Sequence, residues 1–142
     1  MNNIASLYDY VLLNNDNPIG YTYDLYTCVA ALIYRENSII LAHLEMSQKN
    51  NSVDYKSLFH ILDLNDDNIL NIELFAGPKT DMNDLKLIGS LLDNYAITYE
   101  IKESFVNIYG KGSIGFDYNT RDYYFVDENY ELKEANILKK IL

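Results

Sequence analysis

Two apolar runs, Cys28-Val29-Ala30-Ala31-Leu32-Ile33-Tyr34 and Ile39-Ile40-Leu41-Ala42-His43-Leu44, decide the fold of this chain. Only residues 35–38 separate them, a loop length typical of an antiparallel hairpin. Because neither run alternates with polar residues, both faces of the hairpin are expected to be covered. The sequence therefore predicts a central antiparallel sheet that is packed on both sides.

The remaining segments predict further strands and helices around that hairpin. Residues 20–26 form a polar and aromatic approach to it. Composition and spacing predict strands over 7–13, 69–75, 97–101, 105–109, 113–118 and 122–126, and helices over 52–64, 81–95 and 130–142. The expected fold is α+β, with helices packed against a largely antiparallel central sheet, in a single domain that spans residues 1–142.

The composition argues against several functional classes. The chain has 21 acidic and 11 basic residues, and the resulting charge of −10 repels the phosphates of nucleic acids. No apolar run approaches the roughly 20 residues needed to cross a bilayer, and the N-terminus lacks a signal-peptide pattern. We therefore expect a cytoplasmic protein, most simply a monomer, that binds no nucleic acid and spans no membrane. Signal-independent export as an effector is the alternative that this pattern leaves open.

One cysteine and two histidines limit the chemistry that the chain can perform. A single cysteine forms neither an internal disulfide nor a cysteine-based zinc site, and we expect no metal and no cofactor. The hairpin is predicted to place Cys28 and His43 opposite each other, or within about one residue of that register. An adjacent imidazole lowers the pKa of a thiol, so Cys28 is a candidate nucleophile with His43 as its base. His60 is expected on the surface.

The residues around Cys28 resemble the active-site segment of a known enzyme family. Thr22-Tyr23-Asp24-Leu25-Tyr26-Thr27-Cys28-Val29-Ala30-Ala31, followed by Leu41-Ala42-His43-Leu44, is similar to that segment in the CheD-like cysteine deamidases. The family includes the chemotaxis receptor glutamine deamidase CheD, the cytotoxic necrotizing factor-type deamidases and protein N-terminal asparagine amidohydrolase. Its threonine, nucleophilic cysteine and histidine correspond to Thr22, Cys28 and His43.

The resemblance covers roughly residues 5–126 and includes Ile72–Gly77, the helix over 81–95 and Gly115–Thr120. It implies a CheD-like layered sandwich in which Thr22 orients or polarises the imidazole of His43. The sequence departs from the family at two places. Residues 24–27 replace a glycine-rich approach to the cysteine, and Ala76-Gly77-Pro78 replaces a double glycine.

These observations predict a cysteine amidohydrolase that deamidates a glutamine or asparagine of a protein substrate. His43 would take the proton of Cys28, the thiolate would add to the carboxamide, and water would hydrolyse the thioester after ammonia leaves. Residues close to the cysteine and the histidine are expected to bind the substrate: Tyr23, Asp24, Tyr26, Thr27 and Glu45.

Three alternatives share the same residues. An N-terminal asparagine amidohydrolase would bind a free α-ammonium group through Asp24 or Glu45. A peptidase or transglutaminase would use the cysteine and histidine on a different carbonyl or acceptor. A non-catalytic binding module would keep Cys28 as a buried, ordinary thiol, and its acidic surface would suit a basic protein partner.

Overall fold

The computed structural model describes residues 3–6, 9–45, 69–135 and 139–140. The predicted helix over 52–64 and His60 lie outside these residues. The elements formed within them are β1 (Tyr10–Leu13), β2 (Ile19–Leu25), β3 (Val29–Arg35), β4 (Ile39–Leu44), β5 (Ile69–Ala76), α1 (Met82–Asn94), β6 (Tyr99–Glu103), β7 (Phe105–Val106), β8 (Gly112–Asp117), β9 (Tyr123–Val126) and β10 (Leu132–Ala135).

The strands form two five-stranded sheets instead of one central sheet. The first has the order β1-β4-β3-β5-β6, and the second has the order β10-β9-β8-β2 with β7 paired to β8. Within these sheets β5 and β6 pair in parallel, because the chain between them crosses over through α1. The fold is thus mixed, with antiparallel sheets and one helix in the described part of the chain, and strands dominate it.

The predicted hairpin is confirmed as β3 and β4, and both of its faces are covered. Val29, Ala31 and Ile33 point into a core layer that the first sheet shares with α1. Alternate residues such as Ala30 and Leu32 point into a second core layer between the two sheets. This two-sided burial explains why the run lacks polar alternation.

The helix predicted over 81–95 is confirmed as α1. Asp81 caps it, since its carboxylate accepts a hydrogen bond from the backbone N–H of Asn83 at 2.8 Å. Leu85, Ile88 and Leu92 lie on one stripe and are buried against the first sheet. Helix, first sheet and second sheet therefore form three successive layers.

The helix predicted over 130–142 is wrong where the chain is described. Leu132–Ala135 is instead strand β10, paired antiparallel with β9. The Asp127 carboxylate accepts hydrogen bonds from the backbone N–H groups of Asn129 and Glu131, and it fixes a tight turn between the two strands. This turn and the cross-strand pairing outweigh the helix propensity of the Leu-Lys-Glu-Ala segment.

The polar and aromatic segment over residues 20–26, for which the sequence predicted no secondary structure, lies largely in strand β2. It pairs antiparallel with β8 at the edge of the second sheet. β2 thereby runs past the end of the β3–β4 hairpin and brings the Thr22 region over the layer between the sheets. This placement creates the cavity described next.

Candidate active site

A cavity of about 330 Å³ lies where β2 passes the ends of β3 and β4. Residues from four separate segments line it, among them Ala5, Tyr23, Asp24, Cys28 and His43. The structure therefore brings the predicted nucleophile and the predicted base to one cavity. It adds the N-terminal segment, which the sequence did not indicate.

A β-bulge in β2 shapes the rim of this cavity. The register with β8 shifts between Thr22 and Leu25, so Tyr23 and Asp24 lie across from one residue of β8. Asp24 has φ = 58°, a left-handed conformation that aspartate adopts more readily than most residues. The bulge lets both residues line the cavity while Thr22 and Leu25 stay fully buried.

Tight backbone packing fixes the position of Cys28. Its carbonyl accepts hydrogen bonds from the backbone N–H of Gly77 at 3.0 Å and from the hydroxyl of Thr80 at 2.8 Å. The carbonyl of Tyr26 accepts from the backbone N–H of Lys79 at 2.9 Å. A Cβ on residue 77 would stand only 2.5 Å from the Tyr26 oxygen, so this close approach requires Gly77.

His43 and Cys28 share a face of the hairpin, but they are not opposite each other. His43 pairs with Ala30, and the backbone N–H of Arg35 donates to the carbonyl of Ser38 at 2.9 Å. The turn is thus centred one residue later than predicted, and His43 lies two residues along from the position opposite Cys28. Such diagonal neighbours are about 7–8 Å apart at the backbone, and Nε2 of His43 makes no hydrogen bond to the thiol of Cys28.

Thr22 fixes the orientation and the tautomer of His43. The Thr22 hydroxyl donates to the carbonyl of Ala5 at 2.6 Å and lies 2.8 Å from Nδ1 of His43. A hydroxyl has one proton, so Thr22 accepts from the imidazole and Nδ1 carries the hydrogen. Nε2 is therefore the unprotonated nitrogen. It is buried and has no hydrogen-bond partner among the described residues.

The imidazole is neutral at physiological pH. Burial is the main effect and lowers the pKa of His43, whereas the carbonyl of Ala5 and the carboxylates of Glu45 and Asp24 act in the opposite direction. Burial prevails, and the pKa stays below the ordinary value. Nε2 is consequently available as a proton acceptor.

The thiol of Cys28 is not activated in the way that the sequence predicted. Its side chain is 8% exposed, and its thiol donates to Oε2 of Glu45 at 3.9 Å. Burial and then the charge of Glu45 raise the pKa of Cys28 to about 11, although a hydrogen bond with the side chain of Thr27 acts in the opposite direction. The expectation of a lowered pKa is therefore wrong, because it took the imidazole into account and omitted the burial of the thiol and the nearby carboxylate.

The other predicted substrate-binding residues lie around the thiol. Tyr23 and Asp24 line the cavity, and Glu45 contacts Cys28 directly. Tyr26 and Thr27 are exposed in the loop that precedes the cysteine. The ammonium group of Lys111 lies over the Tyr26 ring, 4.2 Å from its centroid. The sequence did not indicate this contact.

Sequence reasoning missed the part that the N-terminal segment plays. The backbone N–H of Ala5 donates to the carbonyl of Tyr21, and that of Tyr21 donates to the carbonyl of Asn3, each at 3.0 Å. These bonds bring the carbonyl of Ala5 to Thr22. A backbone carbonyl is supplied by any residue type, so no side-chain pattern could have indicated this contact.

Comparison with known proteins leaves the site to be interpreted from its own geometry. No protein-family model matches the chain, and a search of curated proteins finds no match. Within the described ranges, no three His, Cys, Asp or Glu side chains are grouped to hold a metal ion. In the same ranges, no helix combines the length and the apolar character needed to cross a membrane.

Proposed function

We propose that this protein is a cysteine amidohydrolase that deamidates a glutamine or asparagine side chain of a protein substrate. The observation that carries the proposal is the state of His43. Its Nδ1 is hydrogen-bonded to Thr22, and its Nε2 is buried, unprotonated and without a partner among the described residues. His43 and Cys28 line the same cavity. Buried polar atoms are normally satisfied, so an exception in a residue that shares a cavity with a thiol favours a chemical role over a packing role.

The proposed reaction starts from the neutral imidazole of His43 and the neutral thiol of Cys28. Nε2 of His43 takes the proton of Cys28 as the sulfur forms a bond to the carboxamide carbon and the carbonyl π electrons move to its oxygen. Backbone N–H groups of the loop over residues 26–28 are the proposed donors to that oxyanion. The oxyanion collapses, the carbon–nitrogen bond breaks, and the imidazolium of His43 gives its proton to the departing ammonia.

Hydrolysis then regenerates the enzyme. Nε2 of His43 removes a proton from water as the water oxygen adds to the thioester carbon. The carbon–sulfur bond breaks, the sulfur recovers the proton from His43, and the substrate keeps a carboxylic acid. Thr22 is a positioning residue in both halves, because its bond to Nδ1 keeps Nε2 free to exchange the proton.

The CheD-like layered sandwich is part of this proposal. In its support, α1 covers one face of the first sheet and the second sheet covers the other. The contact between Thr22 and His43 also fits the role that the resemblance implies for the threonine. Gly77 alone allows the close approach to the loop before Cys28, so the loss of the double glycine does not prevent this packing.

A second candidate is an N-terminal asparagine amidohydrolase. The observation that favours it is the presence of two carboxylates at the site, since Asp24 lines the cavity and Glu45 contacts Cys28. Either group could pair with the free α-ammonium of an N-terminal residue. The chemistry at Cys28 and His43 would be the same.

Site-resolved mass spectrometry of a protein extract tests the proposed function. The extract is incubated with the wild type, with Cys28→Ser and with His43→Gln, and conversion of glutamine and asparagine to the acids is followed together with ammonia release. We expect specific conversion with the wild type alone. Cys28→Ser keeps the side-chain size nearly unchanged, so its inactivity reports on the thiol. Identical spontaneous conversion in all three samples would refute the proposal.

A further inference from the structure

We propose that the carboxylate of Glu45 binds a cationic group of the substrate, and that this binding releases the thiol of Cys28, which Glu45 holds as a hydrogen-bond donor, to His43. The inference rests on the proposed amidohydrolase function. It adds a substrate class, namely an amide that lies close to an ammonium or guanidinium group. It also adds a control step, because the nucleophile forms only when the cation is bound.

The first observation is the direction of the thiol proton. A thiol has one proton, and that of Cys28 is directed to Oε2 of Glu45 at 3.9 Å. While this contact holds, the same proton is not directed to Nε2 of His43. The carboxylate also disfavours the thiolate through its charge, in addition to the effect of burial. The arrangement therefore keeps the nucleophile protonated.

The second observation is independent of the first and concerns His43. Its side chain is buried, with 4% of the residue exposed, and it lines the cavity. Nε2 has no hydrogen-bond partner among the described residues. His43 thus holds an unprotonated ring nitrogen, and the thiol that lines the same cavity directs its proton elsewhere. The site is complete only when something moves that proton.

The third observation is the sign of the charge around the cavity. Asp24 lines the cavity, and Glu45 contacts the thiol of Cys28. At the start of α1, burial and then the charges of Asp81 and Glu45 raise the pKa of Asp84. These carboxylates come from β2, from the end of β4 and from α1. A cationic group gains from their combined field, whereas an anionic group is repelled.

The step that follows the release of the thiol is a proton transfer, so it needs no oxidant or reductant. When a cation pairs with Glu45, the charge that opposed the thiolate is compensated, and the S–H group turns to His43. The proton passes from Sγ to Nε2, giving a thiolate and an imidazolium. The sulfur electron pair then forms the bond to the carboxamide carbon.

Alkylation of Cys28, the single cysteine of the chain, tests the inference without any deamidation assay. The variants are Glu45→Gln and, as a matched control, Glu36→Gln, which changes an exposed carboxylate in the loop at the other end of the same hairpin. Glu45→Gln should raise the iodoacetamide rate at pH 8 about tenfold, because it removes the carboxylate that opposes formation of the thiolate. Glu36→Gln should match the wild type.

Charged reagents report on the cation directly. The wild type should react faster with cationic trimethylammonioethyl methanethiosulfonate than with anionic sulfonatoethyl methanethiosulfonate, after each rate is divided by that for free cysteine. Glu45→Gln should reduce this preference. Methylguanidinium should accelerate the iodoacetamide reaction of the wild type. Because this measurement uses no variant, a folding defect cannot affect it. The inference would be overturned if Glu45→Gln reacted with iodoacetamide at the wild-type rate and methylguanidinium did not accelerate the reaction of the wild type.

Peptides identify the source of the cation. Peptides with a free N-terminus, an acetylated N-terminus, or a lysine replaced by norleucine are added to the iodoacetamide reaction. Acceleration that needs the free N-terminus indicates an α-ammonium, and acceleration that needs the lysine indicates a side chain. Both results support the inference. Equal acceleration by a peptide that lacks any cation would overturn it.

The two proposals fail in different ways. Cation-dependent alkylation without deamidation of any protein would keep the control of the thiol and refute the amidohydrolase function. Deamidation that proceeds unchanged in Glu45→Gln and without preference for nearby cations would keep the function and overturn the inference.

Discussion

Glu73 and His43 are two buried polar residues in the layer between the sheets, and they differ in how many of their polar atoms have hydrogen-bond partners. The first, Glu73, lies in the Glu73 cluster, made of Tyr34, Glu73, Lys102 and Tyr123. The Glu73 carboxylate accepts from the hydroxyl of Tyr123 at 2.7 and 2.8 Å, from the hydroxyl of Tyr34 and from the ammonium of Lys102. The other is His43, which uses only one of its two ring nitrogens.

The difference distinguishes the structural role of the Glu73 cluster from the chemical role that we propose for His43. In the Glu73 cluster every polar group faces a partner of suitable charge, and burial together with Glu73 raises the pKa of both tyrosines, which keeps them protonated donors. Such a satisfied network stabilises a fold and is poorly suited to react. At His43 the incomplete pairing costs stability and leaves a base available. Substitutions in the two regions should therefore separate stability from reactivity.

The largest effect is expected on activity for His43→Gln. The carboxamide of glutamine is not a base, so deamidation should fall by about 10²–10⁴-fold, the usual contribution of a positioned general base. The free energy of unfolding should change by only about 1 kcal/mol, because Nε2 of His43 makes no hydrogen bond among the described residues that the substitution could remove. Turnover measured by ammonia release and unfolding measured in urea check both parts. A variant that keeps its turnover would remove the distinction between the two regions.

Glu73→Gln should produce the opposite pattern. It leaves the ammonium of Lys102 without its buried partner, so we expect a loss of about 3 kcal/mol in the free energy of unfolding. The matched control is Glu100→Gln, because Glu100 is a more exposed partner of the same lysine at 3.5 Å, and a change below about 1 kcal/mol is expected there. Urea unfolding measures both variants. A Glu73→Gln protein as stable as the control would show that the cluster is not structural.

The sequence predicted the apolar hairpin and helix better than it predicted the Glu73 cluster or the surroundings of His43. The hairpin and α1 were predictable because an unbroken apolar run and an Asp81 cap are local signals. The Glu73 cluster was not, because its members come from β3, β5, β6 and β9, and only the two-sheet packing joins them. Strand β10 was missed because a turn fixed by Asp127 overrides local helix propensity.

The candidate site was predictable in its residue types and less so in its electrostatics. Thr22, Cys28 and His43 were found from spacing and resemblance. The contact of Glu45 with the thiol was not, because it depends on a register that differs from the expected one by two residues. The Ala5 carbonyl left no side-chain signal, so the tautomer of His43 could be assigned only from the structure.

Thr22→Val tests the contact that sets His43 apart. Valine has a similar shape but accepts no hydrogen bond, so Nδ1 loses its partner and the imidazole can turn. Turnover should fall about tenfold, which corresponds to one hydrogen bond of about 1.4 kcal/mol. Thr22→Ser should restore most of it. The nitrogen chemical shifts of His43 provide a readout that a purely structural role would not change, and unaltered shifts in Thr22→Val would contradict the assigned role.

The smallest effect concerns pH. Burial lowers the pKa of His43 below its ordinary value near 6.5, so the unfolded chain binds more protons than the folded one between the two values. The contribution of His43 to stability is then fully present above pH 6.5 and is lost as the pH falls through the folded pKa. Urea unfolding of His43→Gln should show a weaker loss over that window. An equal loss in both proteins would mean that His43 is not held neutral by the fold.

The most direct test of the difference between the two regions is a nitrogen NMR titration of His43, with His60→Gln used to assign its signals. The account predicts a neutral imidazole at pH 7 with the hydrogen on Nδ1, an unprotonated Nε2, and a titration midpoint below the ordinary value near 6.5. A hydrogen on Nε2, or a charged imidazolium at pH 7, would contradict it, because His43 would then have no free acceptor for the proton of Cys28.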